Sequence, residues 1–324
     1  WFSISFAMII QIILFSIGMN FNRKIIKFSA ISIYIGMAIF FFAVLLNDVK
    51  LTSSVFINAF NIENFFDKNN VVPLITVTGT IFAYFSIIIL SFGDFSRYVK
   101  NENELKKGNL SLFLNLIIFS FFALFIVIGT DAFLNTNSNN LEKILTNPTD
   151  IIGKLDNLLV TNLVLIFIII ASGSTNLIAN FIPSQYSLIN LAPSSLTFKS
   201  SSYIIAFFGF IIGIFWISII SQIGILSLID TIAAFFGPIF GLMITDFYLI
   251  KKTNLINKDI YSLDSSGDYY FSNGWHIKGV YSLFLGFIFS ASTIWNPNFS
   301  FLQSYAWIIG GFVTSISYYL LAKK

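Results

Sequence analysis

Residues 171–180 read Ala-Ser-Gly-Ser-Thr-Asn-Leu-Ile-Ala-Asn and follow a predominantly apolar run from Leu158 to Ile170. The apolar run is typical of a helix embedded in lipid. Hydroxyls, amides and a glycine in such a helix need hydrogen-bond partners, because the hydrocarbon offers none. The stretch therefore predicts either polar contacts between helices or a binding site for an ion and a small polar solute.

Composition indicates an all-α, polytopic membrane protein. Of 324 residues, 56% are hydrophobic and only 10% are charged, and the mean hydropathy is +0.84. A soluble domain carries about 25% charged residues. Cysteine is absent and His276 is the single histidine, which excludes disulfides, thiolate chemistry and histidine metal clusters. The sequence contains no Gly-x-Ser-x-Gly, His-Glu-x-x-His or P-loop motif, so we expect neither an enzyme nor an organic cofactor.

Apolar runs of about 20 residues predict nine membrane spans. The predicted spans cover residues 2–20, 28–47, 73–92, 110–130, 157–178, 201–220, 226–250, 278–295 and 300–321.

The positive charges between these spans predict the orientation of the chain. Fourteen of the 18 Lys and Arg residues belong to one set of alternate connections, and four to the other. Because cytoplasmic loops carry the excess of Lys and Arg, we expect the richer set and the C-terminus in the cytoplasm. The first span then runs from outside to inside a cell membrane, inner or plasma.

Two long outer connections, 48–72 and 131–156, contain amphipathic stretches at Ser54–Phe66 and Asn140–Leu145. These favour short helices on the outer face, serving as lids, or plain solvated loops. The inner segment 251–275 is polar and is interpreted as a connector.

Residues 171–180 offer two kinds of polar group. The carbonyl of Ala171 and the hydroxyls of Ser174 and Thr175 are oxygen ligands that suit a hard monovalent cation, and a glycine at 173 eases loosening of the helix. Asn180 carries an amide that donates and accepts, which suits a planar heterocycle or a ureide. The alternative is that the hydroxyls bond back to their own helix and the amides bond between helices.

The third span carries aromatic and charged residues. Tyr84 and Phe85 lie near its middle, where aromatic rings either pack against lipid and helices or stack on a planar ligand. Asp94 and Arg97, three residues apart at the cytoplasmic end, predict a local ion pair. Gly79-Thr80 is a plausible weak point of this helix.

The seventh span contains Pro238 between Gly237 and Gly241, which predicts bending or close helix packing. Asp230 lies near the outer end of this span. An acid inside the membrane is a functional candidate by default, unless it reaches the interface.

Four stretches, in this order and spacing, resemble the nucleobase–cation symporter family, which includes permeases for cytosine, uracil, allantoin and hydantoins. They are Gly93-Asp-Phe-Ser-Arg-Tyr98; Ser174-Thr-Asn176 through Asn180 with Asn190-Leu-Ala-Pro193; Gly237-Pro238 through Gly241 with Asp246-Phe-Tyr248; and Asn273-Gly-Trp275.

The resemblance implies a LeuT-like inverted-repeat fold, in which a mobile helix bundle rocks against a scaffold around a site near the membrane midplane. Members have twelve spans, and this sequence aligns with the fourth to the twelfth. We therefore expect a single transporter domain over residues 1–324 in which the first three helices are absent.

The resemblance also implies site residues. Ala171, Ser174 and Thr175 correspond to sodium ligands, and Asn180 to the substrate-binding amide. Phe85 corresponds to an aromatic residue that stacks on the substrate. The remaining residues are Tyr84, which contacts substrate where the family often has a small residue, and Ile229, an outer gate position.

The expected function is sodium-coupled symport of a nucleobase or related planar heterocycle or ureide by alternating access. The expected partners are that solute, a sodium ion and the lipid bilayer, and not nucleic acid. A proton-coupled carrier or an amino-acid carrier of the same fold is the nearest alternative. A membrane-embedded enzyme is disfavoured by the lack of clustered histidines or acids.

Overall fold

In the computed structural model the described residues are almost entirely helical. The structure describes all residues except 1, 18, 47–52, 54–56, 58–66, 138–147, 153–156, 216–224, 261, 263 and 324. The α-helices are α1 (Phe2–Ile17), α2 (Met19–Leu45), α3 (Lys68–Leu90), α4 (Phe92–Ser96), α5 (Glu102–Asn137), α6 (Pro148–Ile152), α7 (Leu158–Asn176), α8 (Ile182–Leu191), α9 (Phe198–Phe215), α10 (Ile225–Ile244), α11 (Asn257–Ile260), α12 (Ile277–Trp295) and α13 (Ala306–Ala322). Two π-helical turns, π1 (Leu177–Phe181) and π2 (Thr245–Ile250), and a 3-10 segment (Pro297–Tyr305) complete the elements.

Eight helical stretches in the described part are long and apolar enough to cross a membrane. They correspond to the second to ninth predicted spans, which confirms an all-helical polytopic membrane protein. The first predicted span is the sixteen-residue helix α1, whose apolar part is shorter, at Ile4–Leu14.

Several helices extend beyond the predicted spans, because polar groups as well as apolar ones stabilise helix ends. The side chain of Asn101 accepts a hydrogen bond from the backbone N–H of Glu104, and α5 therefore begins eight residues before the predicted span. Glu102 pairs with Lys106 across one turn. Similarly, α7 continues through π1 into α8, so that the membrane-spanning stretch extends from Leu158 to Leu191.

The described residues divide into two compact units, each built from two segments of the chain. Unit 1 comprises Trp1–Asp67 and Asp94–Ile214, and unit 2 comprises Lys68–Gly93 and Phe215–Lys324. Unit 2 thus takes helix α3 from the middle of the sequence that forms unit 1.

The core of unit 1 lies where α2 packs against α5 and α7. Phe40, Ile126 and Val164 form its centre, together with Ile151 and Ile152 of α6. Because α6 is buried here, this part of the predicted outer connection 131–156 is not a solvated loop. The predicted amphipathic stretches at 54–66 and 140–145 lie outside the described residues, apart from Ile57, which is exposed.

Unit 2 is built around α10 and α13, which pack in parallel at close range. A Cβ on Gly237 would collide with the carbonyl of Trp307, and one on Gly241 with the carbonyl of Gly311. The contacts advance by four residues along both helices, which shows that the two run in the same direction. Close packing is thus the role of the glycines that flank Pro238, as predicted.

Helix α3 is continuous through Gly79, so the predicted weak point is wrong. A Cβ at Gly79 would collide with the backbone oxygen of Ser304. The glycine allows α3 to approach the 3-10 segment closely. Its role is therefore close packing rather than a break in the helix.

The segment 251–275 is a folded structure rather than a plain connector. It contains α11 and an isolated bridge between Ser272 and Trp275. Its backbone takes positive φ angles at Phe271, Asn273 and Gly274, which reverse the chain tightly before α12 begins.

Candidate functional site

The helix α7 and the turn π1 carry the candidate cation ligands and the candidate solute amide, all within unit 1. Helix α7 begins at Asn157, whose side chain accepts hydrogen bonds of 3.1 Å from the N–H groups of Leu159 and Val160. The apolar residues that follow keep the helix regular up to Asn176, where π1 begins.

Two of the three candidate cation ligands lie together at the end of α7. The hydroxyl of Ser174 donates a hydrogen bond of 3.1 Å to the carbonyl oxygen of Ala171. Ser174 is buried, whereas Thr175 is exposed. The bond to Ala171 is the back-bond that the sequence left as an alternative, but it leaves the oxygen lone pairs of Ser174 available to a cation. The ligand role of these residues stays a prediction.

The turn π1 loosens the helix immediately after this pair. The N–H of Leu177 points at the carbonyls of both Gly173 and Ser174, and the N–H of Ile182 bonds five residues back to Leu177. A π turn inserts one extra residue into a helix and is frequent at functional sites. The sequence predicted that the helix loosens at Gly173, and the structure has the loosened turn a few residues later, at π1.

Asn180 lies within π1 and is exposed. Its amide nitrogen donates to the side-chain oxygen of Asn176 at 2.9 Å. The two amides are four residues apart and share a face of the helix. The bond uses one amide hydrogen of Asn180 and leaves its oxygen and its second hydrogen, which match the donor and acceptor edge of a heterocycle or ureide.

Gln11 of α1 is a residue that the sequence analysis missed. Its amide nitrogen donates a 3.0 Å hydrogen bond to the carbonyl of Gly173, and the residue is only 4% exposed. Its oxygen is buried and has no partner among the described residues. Residues 171 and 173 point in directions about 200° apart around the axis of a helix. Gln11 therefore contacts the last turn of α7 on the side opposite to the Ala171 carbonyl. A lone glutamine in an apolar helix is the signal that could have found it.

Tyr84 and Phe85 lie on α3, in unit 2. Tyr84 is 60% exposed, and its ring meets that of Phe85 edge to face at 5.3 Å. The structure therefore brings these two aromatics together, and separately joins Ala171 to Ser174 on the helix of unit 1 that also carries Asn180. A substrate site shared by Asn180 and Phe85 stays a prediction. Ile229 belongs to α10, and its side chain lies outside the described part.

The predicted ion pair at the end of the third span is present, with 3.4 Å between Arg97 and Asp94. The guanidinium of Arg97 also lies 4.2 Å from the ring centre of Tyr186 on α8, and the hydroxyls of Tyr98 and Tyr186 are hydrogen-bonded. These contacts anchor the segment 94–98 on the helix that continues from π1. Sequence reasoning found the ion pair and missed its attachment to Tyr186.

A second polar cluster lies within unit 2, at the predicted cytoplasmic end. The hydroxyl of Tyr318 donates to Asp246 at 2.6 Å, and the Nε2 atom of His276 lies 3.5 Å from the same hydroxyl. Since the phenol has one hydrogen and gives it to Asp246, this contact is a hydrogen bond in the tautomer that has its hydrogen on Nε2 of His276. The His276 ring stacks on Phe271 at 4.0 Å. A Cβ on Gly279 would lie 2.9 Å from Nδ1 of His276, so this glycine makes room for the ring.

The surroundings of His276 favour its neutral form. Burial lowers the pKa of His276 below its usual value, Asp246 raises it, and Lys251 and Lys278 lower it. The pKa of His276 in the folded protein is below that of an exposed histidine. The packing around His276 therefore contributes fully to the free energy of unfolding above about pH 6.5, and this contribution declines as the pH falls below that value.

Each unit contains a cavity of different character. In unit 1 a cavity of about 280 Å³ is lined by α2, α5, α6 and α7 and touches Ala171 and Ser172, but its remaining lining is apolar. It offers few partners to a polar heterocycle. In unit 2 a cavity of about 390 Å³ is lined by polar residues including Asp246, Lys251 and His276.

In a comparison with known protein families, residues 1–320 match a family described as permeases for cytosine/purines, uracil, thiamine and allantoin. The purine-uracil permease NCS1 of Arabidopsis thaliana is 30% identical over 206 residues, which cover 64% of this chain and 33% of that protein. The allantoin permease of Bacillus subtilis is 25% identical over 248 residues, covering 76% of this chain and 48% of the relative.

A putative allantoin permease of Escherichia coli is 23% identical over 252 residues, which are 77% of this chain and 50% of that protein. The chain therefore spans about a third to a half of the length of these curated relatives. No solved structure matches it.

Proposed function

The chain belongs to the family of permeases for cytosine/purines, uracil, thiamine and allantoin, and we propose that the protein containing it is a secondary active transporter for a nucleobase or a related planar heterocycle or ureide. The relatives compared above are all named permeases, so the chain belongs to a family of transporters rather than of enzymes. We further propose sodium as the coupling ion, alternating access as the mechanism, and both units as parts of one transporter domain.

The observation that carries this proposal is the polar end of α7. One membrane-spanning helix holds the bonded pair of Ala171 and Ser174, a π turn, and the amide of Asn180 within ten residues. Oxygen ligands suit a hard cation such as sodium, and a planar ring with donors and acceptors at its edge suits an amide. Groups of this kind are costly inside a membrane unless they are hydrogen-bonded or bind a ligand, and each of them keeps free hydrogen-bonding capacity.

Proximity of the two sites along one helix provides a route for coupling. A cation at Ala171, Ser174 and Thr175 orders the end of α7 and therefore the π turn that holds Asn180. By linkage, a solute that binds Asn180 raises the affinity for the cation by the same factor. Inward and outward states then exchange with both ligands bound, and the stacking of Phe85 and Tyr84 and the gate at Ile229 belong to the same proposed cycle.

Uptake by the full-length protein in proteoliposomes tests sodium coupling. Radiolabelled uracil, adenine and allantoin serve as probes, with an inward gradient of sodium or of choline. Ser174→Ala together with Thr175→Ala removes two cation ligands and should reduce the stimulation by sodium about tenfold or more.

Ser29→Ala with Ser32→Ala is the control, because these two hydroxyls are buried in unit 1, as that of Ser174 is, but lie on α2. The control should retain the stimulation. Full sodium stimulation in the Ser174/Thr175 variant would show that these residues do not bind the coupling ion. Lack of uptake of every probe by the wild-type protein would contradict the substrate class.

A further inference from the structure

Asp230 is a buried acid that the proposed site does not use. It lies on α10 and is only 4% exposed, so its carboxyl group is enclosed by protein. One turn further along α10, Ala233 packs with Ala83 and Trp307. Asp230 therefore lies inside the packed part of unit 2.

The carboxylate has one described partner, and that partner is neutral. The amide nitrogen of Gln303, in the 3-10 segment, donates to Oδ2 of Asp230 at 2.9 Å. The other oxygen, Oδ1, is buried and has no partner among the residues that the structure describes. None of the described ion pairs involves Asp230.

Two charged residues of the neighbouring elements, Asp246 and Lys68, are well separated from Asp230 along their own helices. Asp246 in π2 is sixteen residues further along, about 24 Å of helix. Lys68 begins α3 eleven residues, about 16 Å, before Gly79, which touches Ser304 beside Gln303. The other charged and titratable groups on the neighbouring elements are Tyr84 on α3, Tyr248 in π2, Lys278 and Tyr281 on α12, Tyr305 in the 3-10 segment, and Tyr318 and Tyr319 on α13.

A carboxylate in these surroundings is unfavourable as a bare anion. One amide N–H does not replace the water or the opposite charge that an ionised carboxylate requires when it is buried. The free oxygen Oδ1 instead offers a binding position to a small positive ion. A proton and a sodium ion share the necessary chemistry, since both neutralise one negative charge.

We propose that Asp230 binds a monovalent cation, a proton or sodium, at a site distinct from the end of α7. The role rests on the proposed transport function. Asp230 follows the predicted gate residue Ile229 and precedes Pro238 on the same helix. With the cation bound, the outer half of α10 stays joined to the 3-10 segment through the hydrogen bond between Asp230 and Gln303. Without the cation, the charge favours a state in which that half of α10 exposes Asp230 to water, and the cation thereby controls the outer gate.

Asp230→Asn tests the site with little change of shape, because asparagine keeps an oxygen for Gln303 and carries no charge. Uptake of radiolabelled uracil and allantoin is measured in proteoliposomes under an imposed proton gradient and, separately, a sodium gradient. We expect the stimulation by one of the gradients to fall about tenfold or more. The gradient that loses its effect identifies the ion.

Asp264→Asn, an exposed carboxylate of the segment 251–275, is the control and should retain both responses. Wild-type responses to both gradients in Asp230→Asn would overturn the proposal. The variant that lacks the Ser174 and Thr175 hydroxyls is measured beside it. If that variant keeps its sodium response while Asp230→Asn loses its response to one gradient, the proposed cation site at Ala171, Ser174 and Thr175 is wrong and the Asp230 site stands.

A second measurement uses the wild-type protein and needs no substrate. A membrane-permeant carbodiimide reacts with protonated carboxyl groups in apolar surroundings, and peptide mass spectrometry locates the adduct. We expect an adduct at Asp230 that decreases about tenfold or more either when sodium replaces choline or when the pH is raised. Absence of the adduct, or an adduct that responds to neither change, would contradict a cation site even if Asp230→Asn fails to fold.

Discussion

At the scale of single residues, the structure distinguishes two buried glutamines with similar surroundings and different partners. Gln11 donates to the Gly173 carbonyl, beside the candidate cation ligands at the end of α7, whereas Gln185 donates to Ser202 on α9 at 2.8 Å. Both lie in unit 1, and each leaves its side-chain oxygen buried without a described partner. They form a natural pair for separating an effect on the candidate cation ligands from an effect on the fold.

Gln11→Leu is expected to raise the sodium concentration for half-maximal uptake. Loss of a hydrogen bond to the backbone of the turn costs about 1 kcal/mol, which corresponds to about a fivefold change in affinity. Gln185→Leu is expected to lower thermal stability and leave the sodium requirement unchanged. Equal sodium requirements in the two variants would show that Gln11 only stabilises the fold.

At the scale of elements, the packing of α10 on α13 depends on residues without side chains. Gly237 and Gly241 each meet a backbone carbonyl of the neighbouring helix, and Gly310 meets Pro238. Small residues that allow backbones to approach are a common way of joining helices in lipid, where apolar surface alone provides no preference for protein over lipid.

Gly241→Ala is expected to destabilise unit 2, because its Cβ meets the rigid backbone of Gly311. Overpacking of this kind costs about 1–3 kcal/mol, and thermal unfolding of the purified protein measures it. Gly108→Ala is the matched change, since its Cβ meets nothing within 4 Å. Because alanine favours a helix over glycine by about 1 kcal/mol, Gly108→Ala should leave the unfolding temperature unchanged or raise it. Equal losses in the two variants would contradict the role of Gly241.

At the scale of the whole molecule, the chain forms two units that are interleaved in sequence, and its helices are long and apolar enough for eight membrane crossings in the described part. The distribution of Lys and Arg predicts which ends of the helices face the cytoplasm. The segment 251–275 and the 3-10 segment lie at opposite ends of α12, so they are expected on opposite sides of the membrane.

The 324 residues contain no cysteine, so single substitutions in a background free of other cysteines test this orientation. Ser266→Cys and Ser300→Cys both place a thiol at an exposed position. In intact cells a membrane-impermeant maleimide should label Ser300→Cys and should label Ser266→Cys only after permeabilisation. The reverse pattern would invert the predicted topology and place the C-terminus outside.

The sequence alone determined that this is a helical membrane protein, where its spans lie and which family it belongs to. These properties follow from hydropathy and motif order, which are local along the chain. The tertiary structure decided the partners. Gln11 meets Gly173 across 162 positions of sequence and Asp230 meets Gln303 across 73. Such contacts depend on how helices pack, and no local pattern encodes them. The same reason explains why Ser174 and Asn180 were recognised from their helix, while Gln11 and Tyr186 were not.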